Sequence, residues 1–92
     1  MKICMIGAGY VGLVSAACFS EFGWTVTCVD NDPQRLADLH AGRSPIYEPG
    51  LDDLIQRNMR AGRLTFTSDL GPAVSGADVV FLAVGTPPAP GP

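Results

Sequence analysis

The residues best suited to chemistry in this chain are consecutive: Gly7-Ala8-Gly9-Tyr10-Val11-Gly12, spaced G-x-G-x-x-G. Glycines at that spacing serve phosphate binding. Gly7 allows a tight turn, Gly9 lets a pyrophosphate approach the backbone, and Gly12 lets the following helix lie close to the preceding strand. The start of that helix adds unpaired N–H groups and a partial positive charge. The spacing alone is weak, because the chain holds 11 glycines. Its setting makes it specific: the apolar run Ile3-Cys4-Met5-Ile6 stops directly before it and an apolar helical segment follows. Asp30 ends the next apolar run, about 20 residues beyond the loop, where a carboxylate accepts hydrogen bonds from adenosine ribose hydroxyls. Its charge repels a 2′-phosphate, which favours NAD over NADP. Arg35, one helical turn on, reaches towards the adenosine side or is a solvated helix-face arginine, and it keeps NADP open.

These residues need elements to hold them, and the chain alternates strand and helix patterns. A first strand over residues 3–6 precedes a helix whose apolar positions Val11, Val14, Cys18 and Phe22 recur at helical spacing, with Ala16 and Ala17 on the neighbouring face and Gly23 past its end. Residues 25–29 form a β-branched strand. Asp32-Pro33 reads as an N-cap and first helical residue, with Leu36, Ala37, Leu39 and His40 facing inward up to Gly42. A proline-stiffened loop, residues 43–50, leads to an amphipathic helix marked by Leu51, Leu54, Ile55 and Met59 and closed by Gly62. In that loop Glu48 falls near an N-cap, Pro49 at the first helical position, and Ile46 can staple onto the helix, while Tyr47 has no evident task. Residues 64–67 predict a third strand, Ser68-Asp69 the cap of a brief helical turn through Val74, and residues 79–84 the most apolar strand of all. Strand–helix–strand repetition means parallel strands joined by right-handed crossovers. The expected fold is an α/β, Rossmann-type doubly wound parallel sheet, incomplete, with four strands in the order 3-2-1-4. The loop after the first strand and the loop after the fourth, Val84-Gly85-Thr86-Pro87-Pro88, then face one crevice. Gly85 allows close ligand approach there and Thr86 offers a hydroxyl.

Composition narrows the function classes. The chain has 92 residues, 47% of them hydrophobic and 16% charged, which excludes intrinsic disorder. With a net charge of −3 and no basic patch, nucleic acid is not an expected partner. No run reaches the ~20 apolar residues of a membrane span, and the glycines after Met1-Lys2 break the helix a signal peptide would need. Cys4, Cys18 and Cys28 lie in apolar runs at spacings that match no metal motif. They read as reduced core thiols of a cytoplasmic protein, and no metal site is expected. His40 reads as a hydrogen-bonded residue at a helix end, Asp52-Asp53 as dipole-complementing carboxylates, and Trp24 as packing at the bottom of the sheet. The positive mean hydropathy, +0.23, suits a domain with an uncovered apolar edge beyond its fourth strand.

Three segments together, Gly7-Ala8-Gly9-Tyr10-Val11-Gly12-Leu13, Pro45-Ile46-Tyr47-Glu48-Pro49-Gly50-Leu51 and Val84-Gly85-Thr86-Pro87-Pro88, resemble the N-terminal domain of UDP-glucose 6-dehydrogenases across essentially the whole chain. The Tyr-Glu-Pro-Gly loop leans towards UDP-glucose, with GDP-mannose dehydrogenases the near relatives. The resemblance implies oxidation of UDP-glucose to UDP-glucuronate with two NAD. It also implies cofactor contacts at Val11, Asp30, the basic position 35 and Thr86, to which the loop chemistry adds Gly7, Gly9, Tyr10, Gly12, Val84 and Gly85. The family often carries lysine where this chain has Arg35, which keeps the charge and alters the geometry. Its nucleophilic cysteine and UDP-sugar site lie downstream, so no catalytic residue is expected in residues 1–92. They read as a truncated NAD-binding Rossmann domain, inactive alone, with the central helix and the sugar-binding domain elsewhere. The intact protein is then a cytoplasmic homo-oligomer serving polysaccharide biosynthesis. The alternatives are a GDP-mannose dehydrogenase, a non-enzymatic NAD- or FAD-binding sensor module, and a complete small α/β domain without an assigned role.

Overall fold

The computed structural model describes residues 1–84. Along them run β1 (Lys2–Ile6), α1 (Tyr10–Glu21), β2 (Thr25–Val29), α2 (Pro33–His40), α3 (Leu51–Arg60), β3 (Leu64–Thr67), α4 (Leu70–Ser75) and β4 (Val79–Leu82). All pairings are parallel and the order is β3-β2-β1-β4, as the strand–helix alternation predicts. β1 is central, with Met5 level with Cys28 on one side and Phe81 on the other. Alternation along the strands sends Ile3, Met5, Val26, Cys28, Leu64 and Phe66 to one face, where they join Leu13, Leu39 and Ile55 in the core. α4 lies over Thr25 and Thr27, on the opposite face of β2.

The inward face of α1 differs from the expected one. Gly12, Leu13, Ala16, Ala17 and Ser20 are buried, whereas Val11 is 67% and Phe22 79% exposed and Cys18 is also exposed. The apolar stripe and the buried face are thus one residue apart around the helix. The cause is distance to the sheet: α1 begins so close to the end of β1 that a Cβ at Gly12 would run into the Gly7 carbonyl oxygen. Only small residues fit on the side that approaches this closely. Cys4 and Cys28 are core residues, and Cys18 is not.

In α2 Asp32 caps as predicted, its side chain accepting from the N–H groups of Gln34 and Arg35. Leu39 is the buried residue there and Leu36 packs partly, while Ala37 and His40 are exposed. His40 is still satisfied, because its Nε2 donates to the Phe66 carbonyl at 2.9 Å. α3 starts two residues later than expected. Gly50, not Glu48, is its N-cap, at φ +82°, and Pro49 precedes the helix. The left-handed turn at Gly50 redirects the chain into the helix axis, which a residue with a side chain does at greater cost. Ile46 nevertheless packs against the core. Asp69 caps α4 without a side-chain hydrogen bond.

β4 ends at Leu82, two residues short of the expected strand, though Ala83 N–H still donates to the Ile6 carbonyl. Its side chains are poorly covered: Leu82 is 76% exposed, and Val80, Phe81 and Val84 are exposed too. Trp24, just before β2, stacks on Phe19 at 5.5 Å, and Phe19 stacks on Phe81 of β4 at 5.4 Å. Gly85 and Thr86, with the prolines after them, lie outside the described residues.

Candidate functional site

The site is built where β1 and β2 end. Gly7 turns the chain at φ +107° while its N–H donates to the Val29 carbonyl at 2.8 Å. A side chain there would meet the Ala83 carbonyl as well as carry the strain of that φ. Among the described residues nothing stands within 4 Å of where a Cβ on Gly9 would be. Gly9 is also the N-cap of α1, and among the described residues no side chain caps that end. The first-turn N–H groups are therefore left for an outside acceptor. An anion can reach this backbone directly, with the α1 dipole behind it.

Asp30 follows β2 and is 8% exposed. Its Oδ2 accepts from Ala8 N–H at 2.9 Å and from Arg35 at 2.9 Å, and its Oδ1 accepts from Asp32 N–H at 2.9 Å. Burial pushes the carboxyl's pKa up, but the Ala8 and Asp32 N–H groups and the Arg35 guanidinium together outweigh it and hold the pKa below its ordinary value. Asp30 is thus an anion near neutral pH. Arg35 is neither a free adenosine contact nor a wholly solvated residue. It is half-exposed and paired with Asp30.

A crevice of about 230 Å³ opens here, lined by Ile6, Gly7, Val29, Asp30, Asn31, Ser68, Leu70 and Val84. It joins the ends of β1, β2 and β3 to the segment after β4, which is where an open α/β sheet takes its ligands. Tyr10 reaches from the glycine loop the other way, its hydroxyl donating to Glu48 Oε2 at 3.3 Å. That contact joins the loop to the Tyr-Glu-Pro-Gly segment, where Tyr47 stands fully exposed.

Of the expected site residues, Gly7, Gly9, Tyr10, Val11, Gly12, Asp30, Arg35 and Val84 come together at this end of the sheet. Asn31, Ser68 and Leu70 of the crevice were not expected. Ser68 directly follows β3, so the rule that ligands gather at carboxyl ends of strands could have found it. Burial pushes the Cys28 thiol up to about 12 and raises that of Cys4. Among the described residues no group of three His, Cys, Asp or Glu side chains could hold a metal, and no helix is long and apolar enough to cross a membrane.

Residues 1–90 match the UDP-glucose/GDP-mannose dehydrogenase family, NAD binding domain. The chain belongs to this family. It is 60% identical over 87 residues to the UDP-glucose 6-dehydrogenase of Rhizobium meliloti, an alignment that takes in 95% of this chain and 20% of that protein. Among solved structures it is similar to a ternary complex of GDP-mannose dehydrogenase from Pseudomonas aeruginosa (TM-score 0.90, 45% identity, 95% of this chain and 20% of that one). It is equally close in fold to a UDP-glucose dehydrogenase from the archaeon Pyrobaculum islandicum (TM-score 0.90, 44% identity, 97% of this chain and 21% of that one). The chain spans about a fifth of the length of these relatives. Membership carries the cofactor with it: this is an NAD-binding domain of a dehydrogenase family.

Proposed function

We propose that residues 1–92 are the adenosine and pyrophosphate half of the NAD site of a UDP-glucose 6-dehydrogenase. The observation that carries the reading is the open backbone at Gly9, tied through Ala8 N–H to the buried Asp30 carboxylate. A bare, uncapped helix start suits the pyrophosphate, and a carboxylate held ionised at the end of β2 suits a ribose diol. In this assignment Gly7, Gly9, Tyr10, Val11 and Gly12 take the phosphates. Asp30, with Arg35 paired to it, serves the adenosine ribose, and Val84, Gly85 and Thr86 are further cofactor contacts. The bound cofactor supplies the hydride acceptor. This chain's part is to bind it, orient it and keep Asp30 charged.

UDP-glucose is favoured over GDP-mannose by the closer match, 60% against 45% identity. In the reading that follows, the intact protein oxidises UDP-glucose to UDP-glucuronate, with its nucleophile and sugar-binding domain outside residues 1–92. It works as a cytoplasmic homo-oligomer that supplies polysaccharide biosynthesis. Isothermal titration of the chain tests the local part: NAD binds, UDP-glucose does not, and no NADH forms. Failure of NAD to bind the folded chain overturns the site assignment. Lack of NAD-dependent turnover of UDP-glucose by the intact protein overturns the activity, and turnover of GDP-mannose in its place corrects the substrate.

A further inference from the structure

Asp30 holds more than a ribose contact requires. Its carboxylate is buried, yet three donors already reach it: Ala8 N–H from the glycine loop, Asp32 N–H from the turn into α2, and the Arg35 guanidinium. We propose that Asp30 is a positioning residue for the glycine loop, so that one carboxylate sets both the ribose subsite and the pyrophosphate cradle. This rests on the NAD reading above and deepens it.

The Ala8 side chain is buried in the core, so what Asp30 fixes is the backbone of the loop. Gly7 is bonded to Val29 through its N–H and Gly9 accepts from Leu13 N–H, but between them the Ala8 N–H finds its partner in Asp30 alone among the described residues. A carboxylate offers about four acceptor positions. Three are in use, and a ribose diol needs two. The two backbone donors belong to the ends of β1 and β2 and cannot leave without remodelling the loop. Arg35 is half-exposed at the end of a flexible side chain, so its bond is the one that yields to the ligand. The hold on Ala8 persists with nucleotide bound, and phosphate and ribose recognition stay coupled through it.

ADP and 2′,3′-dideoxy-ADP, titrated against the wild-type chain and Asp30→Asn, test this. If Asp30 only received the diol, Asp30→Asn would leave dideoxy-ADP unaffected or bind it more tightly, since a negative charge near the phosphates is removed. Positioning gives the opposite sign: dideoxy-ADP binds about tenfold more weakly to Asp30→Asn, the loss of one charge-assisted hydrogen bond. ADP is weakened further still. Unchanged or tighter dideoxy-ADP binding overturns the proposal while leaving the NAD reading intact. Wild-type protein that binds neither nucleotide overturns both. Should Asp30→Asn not fold, amide exchange of the wild type without nucleotide decides: Ala8 N–H is protected well beyond Gly9 N–H, and an unprotected Ala8 refutes the hold.

Discussion

Asp30 is the residue on which electrostatics and structure meet, and its titration has a definite sign. Its folded pKa lies below the unfolded carboxylate value of about 3.9. The stability it contributes is then complete above that unfolded value and is lost as the pH falls through the lower folded one. Thermal unfolding of the wild type and Asp30→Asn should show a constant gap from neutral pH down to about pH 4, closing only in stronger acid. A gap that closed between about pH 7 and about pH 5 would mean that Asp30 is not held ionised by its donors. The place of Asp30 was legible in the chain, because the apolar run of the second strand stops directly before it. Its bond to Ala8 was not, since no spacing rule names the partner of a loop N–H. Asn58 was missed for the same reason. It is buried in α3, donates to the Leu54 carbonyl and to Glu21, and accepts from Arg63, a network that exists only once α1, α3 and β3 meet.

For the helices, periodicity proved a better guide to existence than to orientation. α1 is apolar nearly all round, so its stripe of Val11, Val14, Cys18 and Phe22 could not by itself decide which side turns inward. The closest approach decided it, through Gly12, Ala16 and Ala17. Substitution separates the two faces. Ala16→Leu should overpack the contact with the sheet and destabilise the domain by about 1–3 kcal/mol. Val11→Ser, on the exposed face, should change stability by less than about 0.5 kcal/mol. Chemical denaturation of both variants measures this, and equal costs would reverse the assignment of faces. α2 and α3 were easier because each has a polar side, and Asp32-Pro33 marks one start without ambiguity. The start of α3 was harder, since Glu48-Pro49 imitates an N-cap and first helical residue while Gly50 performs the turn.

At the scale of the whole sheet, the described residues leave the β4 edge under-covered. β4 pairs with β1 alone among the described strands, and Leu82 and Val84 stand exposed beside its free backbone edge. Such an edge is a template for pairing with another chain. Sedimentation of the 92-residue chain should therefore show association that rises with concentration and falls in Leu82→Lys, which sets a charge on that edge. A clean monomer of the wild type at high concentration would show that the edge is protected. The positive hydropathy noted in the sequence thus has two addresses: this edge, and the outer side of α1 with Phe22.

Local chemistry along the chain was enough to establish the alternation of strands and helices, the sheet order, the glycine loop and its acidic partner. Each depends on short-range rules: steric freedom at glycine, capping at Asp32, burial of continuous apolar runs, and the handedness of crossovers. Tertiary contact alone decided which side of α1 faces the sheet, where Arg35 points, that Ala8 and Asp30 share a hydrogen bond, and that Cys18 lies at the surface. Those outcomes turn on distances between segments far apart in sequence, which only the closing of the sheet brings within hydrogen-bond and van der Waals range.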